Sequence, residues 1–236
     1  MKFPTYFRGA LNFLCFHAVS ASAATLVSNN LIISTTVGTI TDTTAPTSQS
    51  VGNNGGTLTS LGSAATVTTP GGAPNLLFDL AAAASVVLSR PPGGGRVDAV
   101  SAFVEYTFVF NLAALETRLA TFNLSYSLSE TGINGTVTWA LVGPSGSVPA
   151  ISGSLGDSAT STETITSTAI PTQTTTLSTA GNYTLTLRAA MPIQGVESQK
   201  SMTVVLDDAN LGLTAIPESS CLGFLSLALL ALVRRR

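Results

Sequence analysis

Ala120-Thr121-Phe122-Asn123-Leu124-Ser125-Tyr126-Ser127-Leu128 places an apolar side chain at every second position. A β-strand turns successive side chains to opposite faces, so this stretch reads as a strand with one buried and one wet face. The pattern recurs on both sides. Ala102, Val104, Tyr106, Phe108 and Phe110 share one parity, with Glu105 and Thr107 between them. Val137, Trp139 and Leu141 follow Thr136 and Thr138; Tyr183, Leu185 and Leu187 alternate with Thr184, Thr186 and Arg188; Met202, Val204 and Leu206 close the series. Gly132 to Gly135 and Gly143 to Gly146 read as turns. The fold class that follows is all-β: an antiparallel, jelly-roll-like β-sandwich of about eight to ten strands. A β-helix is the competing architecture, but no repeat of fixed period is visible.

Working outward, Leu31 to Thr35 and Val37 to Thr41 have strand propensity. Asn53-Asn54-Gly55-Gly56 signals a turn, with a returning strand from Thr57, and Thr69 to Pro74 reads as a loop. Leu76 to Leu88 is apolar; its four alanines allow a short helix, while Val86-Val87-Leu88 favours a strand. Pro91 to Gly95 ends it. Asn111 to Leu119 is the one stretch expected to form a helical turn, between two strands. Ser158 to Ser178 is mostly Thr and Ser, and reads as a Thr-faced strand or a mobile loop.

The two ends have another character. Lys2 and Arg8 precede an apolar stretch from Ala10 to Val19, and Ala21-Ser22-Ala23 fits the small-x-small cleavage rule. Met1 to Ala23 is therefore expected to be a secretory signal peptide cut between Ala23 and Ala24, the alternative being an uncleaved anchor. At the other end, Pro217-Glu218-Ser219 precedes an apolar run built on Leu222, Gly223, Phe224, Leu225, Leu227, Leu229, Leu230, Leu232 and Val233, closed by Arg234, Arg235 and Arg236. From Cys221 to Val233 the run is about 13 residues, or roughly 20 Å of helix, where a comfortable membrane span needs about 20 residues. The arginines resist passage and hold the end on the cytoplasmic side. Such a tail is either a short C-terminal anchor or a temporary stop that a membrane protease removes.

Motif, short transmembrane helix and terminal arginine cluster together resemble a PEP-CTERM sorting signal, with Ser219 where that family carries proline. The resemblance implies export by a Gram-negative bacterium that makes exopolysaccharide. It also implies a transient hold in the inner membrane, and cleavage near the motif by exosortase, an integral-membrane cysteine protease. Three segments follow: 1–23 signal peptide, 24–215 β-sandwich, and 216–236 sorting signal. The expected partners are signal peptidase and exosortase during export and exopolysaccharide afterwards. The expected location is the cell surface or extracellular matrix, and the expected role is structural or adhesive, within exopolysaccharide or biofilm.

Composition narrows the activity. Charged residues are 9% of the chain, and half of the ten Lys and Arg lie in the targeting segments. The body keeps five basic residues against eleven acidic ones, a net of −6, which argues against nucleic acid as a partner. His17, Cys15 and Cys221 all lie in the targeting segments, so the body has neither His nor Cys. That removes His-based triads, thiol proteases, and zinc sites built on thiolate or imidazole. Glu105, Glu116 and Glu130 are the residual candidates for the paired carboxylates of a polysaccharide hydrolase. They sit in no motif, and solvated strand edges or loops explain them more simply. No catalytic residue and no enzyme activity are expected.

Tyr183-Thr184-Leu185-Thr186-Leu187 and Val204-Val205-Leu206-Asp207-Asp208 resemble the last strands of galactose-binding-like jelly rolls. That resemblance implies a carbohydrate-binding module, and a calcium ion held through Asp207 and Asp208; the simpler account is two solvated aspartates at a strand end. Otherwise no cofactor is expected. Trp139, the lone tryptophan, shares a face with Val137 and Leu141, which favours the core over a sugar-stacking surface.

Overall fold

The computed structural model describes residues 24–36, 38–42, 47–53, 56–71, 75–80, 84–89, 97–131, 135–156, 162–196 and 201–216. The expected signal peptide with Ala21 and Ala23, and the sorting segment from Pro217 to Arg236, lie outside the described residues. Within them every regular element is a β-strand. In order, the strands are β1 (Thr25–Thr35), β2 (Gly38–Asp42), β3 (Thr47–Asn53), β4 (Gly56–Gly62), β5 (Thr66–Thr68), β6 (Leu76–Leu80), β7 (Ala84–Ser89) and β8 (Val97–Leu112). They continue as β9 (Arg118–Thr131), β10 (Thr136–Gly143), β11 (Gly146–Gly156), β12 (Thr162–Ala169), β13 (Gln173–Leu177), β14 (Gly181–Val196) and β15 (Ser201–Ala215).

One sheet has six strands in the order β11-β10-β14-β8-β1-β2; the other has nine, along β12-β9-β15-β7-β4-β3, with β13 beside β9, β6 beside β15 and β5 beside β6. Every described pairing is antiparallel, which a parallel β-helix does not allow. The inward parity of β8, β9 and β14 is the one that carries the apolar residues, and these side chains are buried. Phe78 of β6 meets Phe108 of β8 at 4.9 Å between ring centroids, and Phe122 of β9 meets Trp139 of β10 at 6.3 Å. Both contacts cross from one sheet to the other, so the two inner faces share one core, as in a β-sandwich.

Several local expectations are revised. Fifteen described strands exceed the eight to ten expected, because β3, β11, β12 and β13 are rich in Ser, Thr and Gly and carry no apolar alternation to read. The described parts of the run from Leu76 to Leu88 are strand, as Val86-Val87-Leu88 suggested, and form β6 and β7, both of which pair with β15. Of Ser158 to Ser178, the described part from Thr162 onward takes the strand alternative, as β12 and β13. Asn111 to Leu119 is not helical: both of its ends are strand, and Ala113 to Glu116 is a tight turn closed by a 3.2 Å bond from the Glu116 amide to the Ala113 carbonyl.

The last strand also runs further than its alternation suggests. Asp207-Asp208 does not follow β15 but lies inside it, at a bulge between Leu206 and Asp208 in its pairing with β9. A bulge inserts one extra residue, so the buried parity changes from Val204 and Leu206 to Ala209, Leu211 and Leu213.

Candidate functional site

The outer face of the six-stranded sheet follows from its register. Residues directly opposite each other on neighbouring strands share a face. Thr136 of β10 stands opposite Ala190 of β14, Ala190 opposite Phe103 of β8, Phe103 opposite Ser34 of β1, and Ser34 opposite Thr39 of β2. The next row is Thr138, Arg188, Glu105, Ile32 and Thr41. Phe103 is thus an aromatic side chain on the outer face with the small residues Ala190 and Ser34 on either side. The space they leave is a trough of about 440 Å³ lined by Ser101, Phe103, Thr136, Thr138, Arg188 and Ala190, with Ala102 and Met191 at its floor. That volume suits a small ligand or one or two sugar rings.

Two contacts fix the polar side of the trough. The Arg188 guanidinium lies over the Phe103 ring, with Cζ 3.8 Å from the centroid, and its Nη1 donates to Glu105 Oε2 at 3.3 Å. Both members of the ion pair stay partly in water, with side chains 40% and 20% exposed. Guanidinium donors and threonine hydroxyls therefore line one wall beside an aromatic edge, with the Glu105 carboxylate bonded to the guanidinium. This chemistry can hold a polyhydroxylated ligand, since each ligand hydroxyl both donates and accepts.

The sequence candidates are distributed differently. Glu105 does not line the trough itself but holds Arg188, which does. Glu116 lies in the turn after β8 and is buried with Arg118: Arg118 Nε donates to Glu116 Oε1 at 2.6 Å, Nη2 reaches the same oxygen, and Glu116 Oε2 accepts from the Ala113 amide at 2.8 Å. Glu130 lies at the far part of β9. The fold does not bring Glu105 and Glu116 together, and each faces an arginine rather than another carboxylate.

Asp207 Oδ1 accepts from the Ser127 hydroxyl at 3.3 Å; its other oxygen is buried without a partner, and Asp208 is exposed. Among the described residues no group of three His, Cys, Asp or Glu side chains could hold a metal, and calcium takes six to eight oxygens.

Trp139 is buried. Its indole Nε1 donates to Gln173 Oε1 at 2.8 Å, and the Gln173 amide donates to the Ser152 carbonyl at 3.3 Å, lacing β10, β11 and β13 across the sandwich edge. The ring lies over Gly153, opposite it on β11, where an added Cβ would fall 2.2 Å from Cζ2. Ala24 is buried at the foot of β1. Sequence reasoning passed over Phe103 and Arg188. The signal for Phe103 was an aromatic on the wet parity of β8, visible as an interruption of the alternation.

No family model and no curated protein matches this chain. Among solved structures it is similar to the enzymatically active domain of bacteriophage CBA120 tailspike protein 4, at 12% identity and TM-score 0.24 over 72% of this chain. The chain spans 19% of the length of that tailspike chain. It is also similar to a structure of infectious bursal disease virus, Gx strain, at 14% identity and TM-score 0.21, over 84% of this chain and 66% of that one. A carbohydrate-binding module of the β-sandwich superfamily is similar at 11% identity and TM-score 0.18, over 79% of this chain and 86% of that one.

Proposed function

We propose that this chain is an exported, non-catalytic β-sandwich that holds polysaccharide at the cell surface or in the extracellular matrix. The observation that carries the reading is the trough around Phe103 on the outer face of the six-stranded sheet. An aromatic edge, an arginine held by Glu105 and threonine hydroxyls converge there on a concavity of sugar size. Export is supported by the sequence alone: a signal peptide ending at Ala23 and a tail that resembles a PEP-CTERM signal. In the finer reading, strands that cross repeatedly between the sheets, as β8, β9 and β10 do, make the sandwich jelly-roll-like. Exosortase then cleaves near Pro217-Glu218-Ser219 and releases the body. The absence of His and Cys from the body supports a binding role over catalysis.

A glycan array of bacterial polysaccharides probed with the protein tests the binding. Selective retention of one class, lost in Phe103→Ala and Arg188→Ala, is the expected result. Retention unchanged by both substitutions, or no retention on any glycan, overturns it. Intact-mass analysis of the mature protein tests the sorting step: a product that begins at Ala24 and lacks Arg234 to Arg236 is expected, and a full C-terminus in the membrane fraction overturns it.

A further inference from the structure

Seven large apolar side chains are exposed among the described residues: Leu26, Val27, Leu61, Leu115, Leu119, Val142 and Ile216. Six of them gather at one end of the sandwich. Leu26 and Val27 open β1, which runs antiparallel to β8 with Thr25 opposite Asn111. Leu115 is in the turn that follows β8. Leu119 opens β9 opposite Thr214, near the end of β15, and the Ile216 amide bonds to the Thr117 carbonyl at 3.3 Å. Val142, near the end of β10, stands opposite Thr184 near the start of β14. Leu61 alone lies elsewhere, on β4 opposite Ser85. The charged residues described at this end are Glu116 and Arg118, both buried and paired with each other.

Leu115 is the most telling of the six. It is 91% exposed, and at φ 66° it is the one non-glycine among the described residues in the left-handed region. Ala113 to Glu116 closes as a turn with its positive φ at the third position, where glycine or asparagine is the ordinary occupant. Leucine there carries backbone strain and gains no burial within the chain. Neither local conformation nor core packing accounts for it, which leaves contact with something outside the fold.

The chain also leaves from this end. Ala24 precedes β1 here, and Ile216 follows β15 here. Beyond Ile216 only four residues, Pro217 to Ser220, precede the apolar run that starts at Cys221. Fully extended they reach roughly 14 Å, while the headgroup layer of one leaflet is about 5–8 Å deep. A tail in the bilayer therefore holds this end close to the membrane surface, without exposed charge among its described residues and rimmed with leucine, valine and isoleucine.

We infer that this end of the sandwich is a membrane-facing surface, which inserts Leu115 and its apolar neighbours into the headgroup region while the tail is in the bilayer. It rests on the reading of the tail as a membrane stop. Exposed apolar patches of this kind mark interaction surfaces, and the lack of exposed charge fits a lipid interface without requiring anionic lipid.

Reporter tryptophans in the full chain, reconstituted into phosphatidylcholine vesicles, test the inference. L115W and V27W place an indole at the apolar end, L61W places one far from it, and the emission of Trp139 in the unsubstituted chain is the background. Lipid brominated on its acyl chains is the quencher. The expected result is that the chain floats with the vesicles, that L115W and V27W emission is blue-shifted and quenched, and that L61W emission is unchanged. Flotation with no more quenching in L115W and V27W than in L61W overturns the inference and leaves the tail reading standing. Failure of the chain to float overturns the tail reading and the inference with it.

Discussion

Two Glu–Arg pairs hang on β8 and serve opposite ends. Glu116 and Arg118, just past its C-terminus, are buried, and the pair clamps the turn into β9 through the Ala113 amide. Glu105, on its outer face, and Arg188, opposite it on β14, remain partly in water, and Arg188 lines the trough beside Phe103. The residue types are the same, and the surroundings decide the role. A buried charge must be paired or it costs several kcal/mol, so the first pair is committed to structure. A solvated pair contributes little to stability and keeps spare hydrogen-bonding capacity for a ligand.

The largest test of this contrast breaks the buried pair. Arg118→Met or Glu116→Leu alone leaves an uncompensated buried charge and should cost about 3–5 kcal/mol by denaturant unfolding, whereas the double substitution should recover most of the loss. Equal losses for single and double variants would break the comparison. Arg188→Ala should behave in the reverse way. Its unfolding free energy should change by about 0–1 kcal/mol, while polysaccharide affinity falls about tenfold or more. A variant that loses stability and binding together would return Arg188 to the structural class.

Tyr106, next to Glu105 but on the inner parity, sharpens the boundary between the faces. Its hydroxyl donates to the Ser63 carbonyl, and burial pushes the phenol well above its ordinary pKa. A folded pKa raised over the unfolded one gives stability that is full below the unfolded value and is lost as pH rises toward the folded one. Stability should therefore hold to about pH 10 and then fall by about 1.4 kcal/mol per unit, and Tyr106→Phe should remove that slope. Urea unfolding between pH 8 and 11 reads it directly. The smallest effect concerns the turn that the buried pair clamps. Leu115→Asn, which tolerates the left-handed region, should raise stability by about 0.5–1 kcal/mol. A loss instead would mean that Leu115 packs within the chain.

Much of the fold was legible in the sequence, because alternation on β8, β9, β10 and β14 is a local signal that burial on one face imposes. Trp139 was legible for the same reason, since it keeps the parity of Val137 and Leu141. The Ser- and Thr-rich strands were not. At the borders of the sheets one face and one edge meet water, so no apolar period is required of them. Asp207-Asp208 misled as a strand end because a bulge, which reverses parity without stopping the ladder, looks in sequence like a break.

By itself, then, the sequence determined the strands with a buried face and the composition of the core. Each is written in the order of neighbouring residues. Only the tertiary structure decided which arginine meets which glutamate, and that Phe103 stands between Ser34 and Ala190. The gathering of Leu26, Leu115, Leu119, Val142 and Ile216 at one end was decided there too. Those placements come from antiparallel pairing between strands far apart in the chain. The register that sets them is fixed by the packing of the whole core rather than by any one segment.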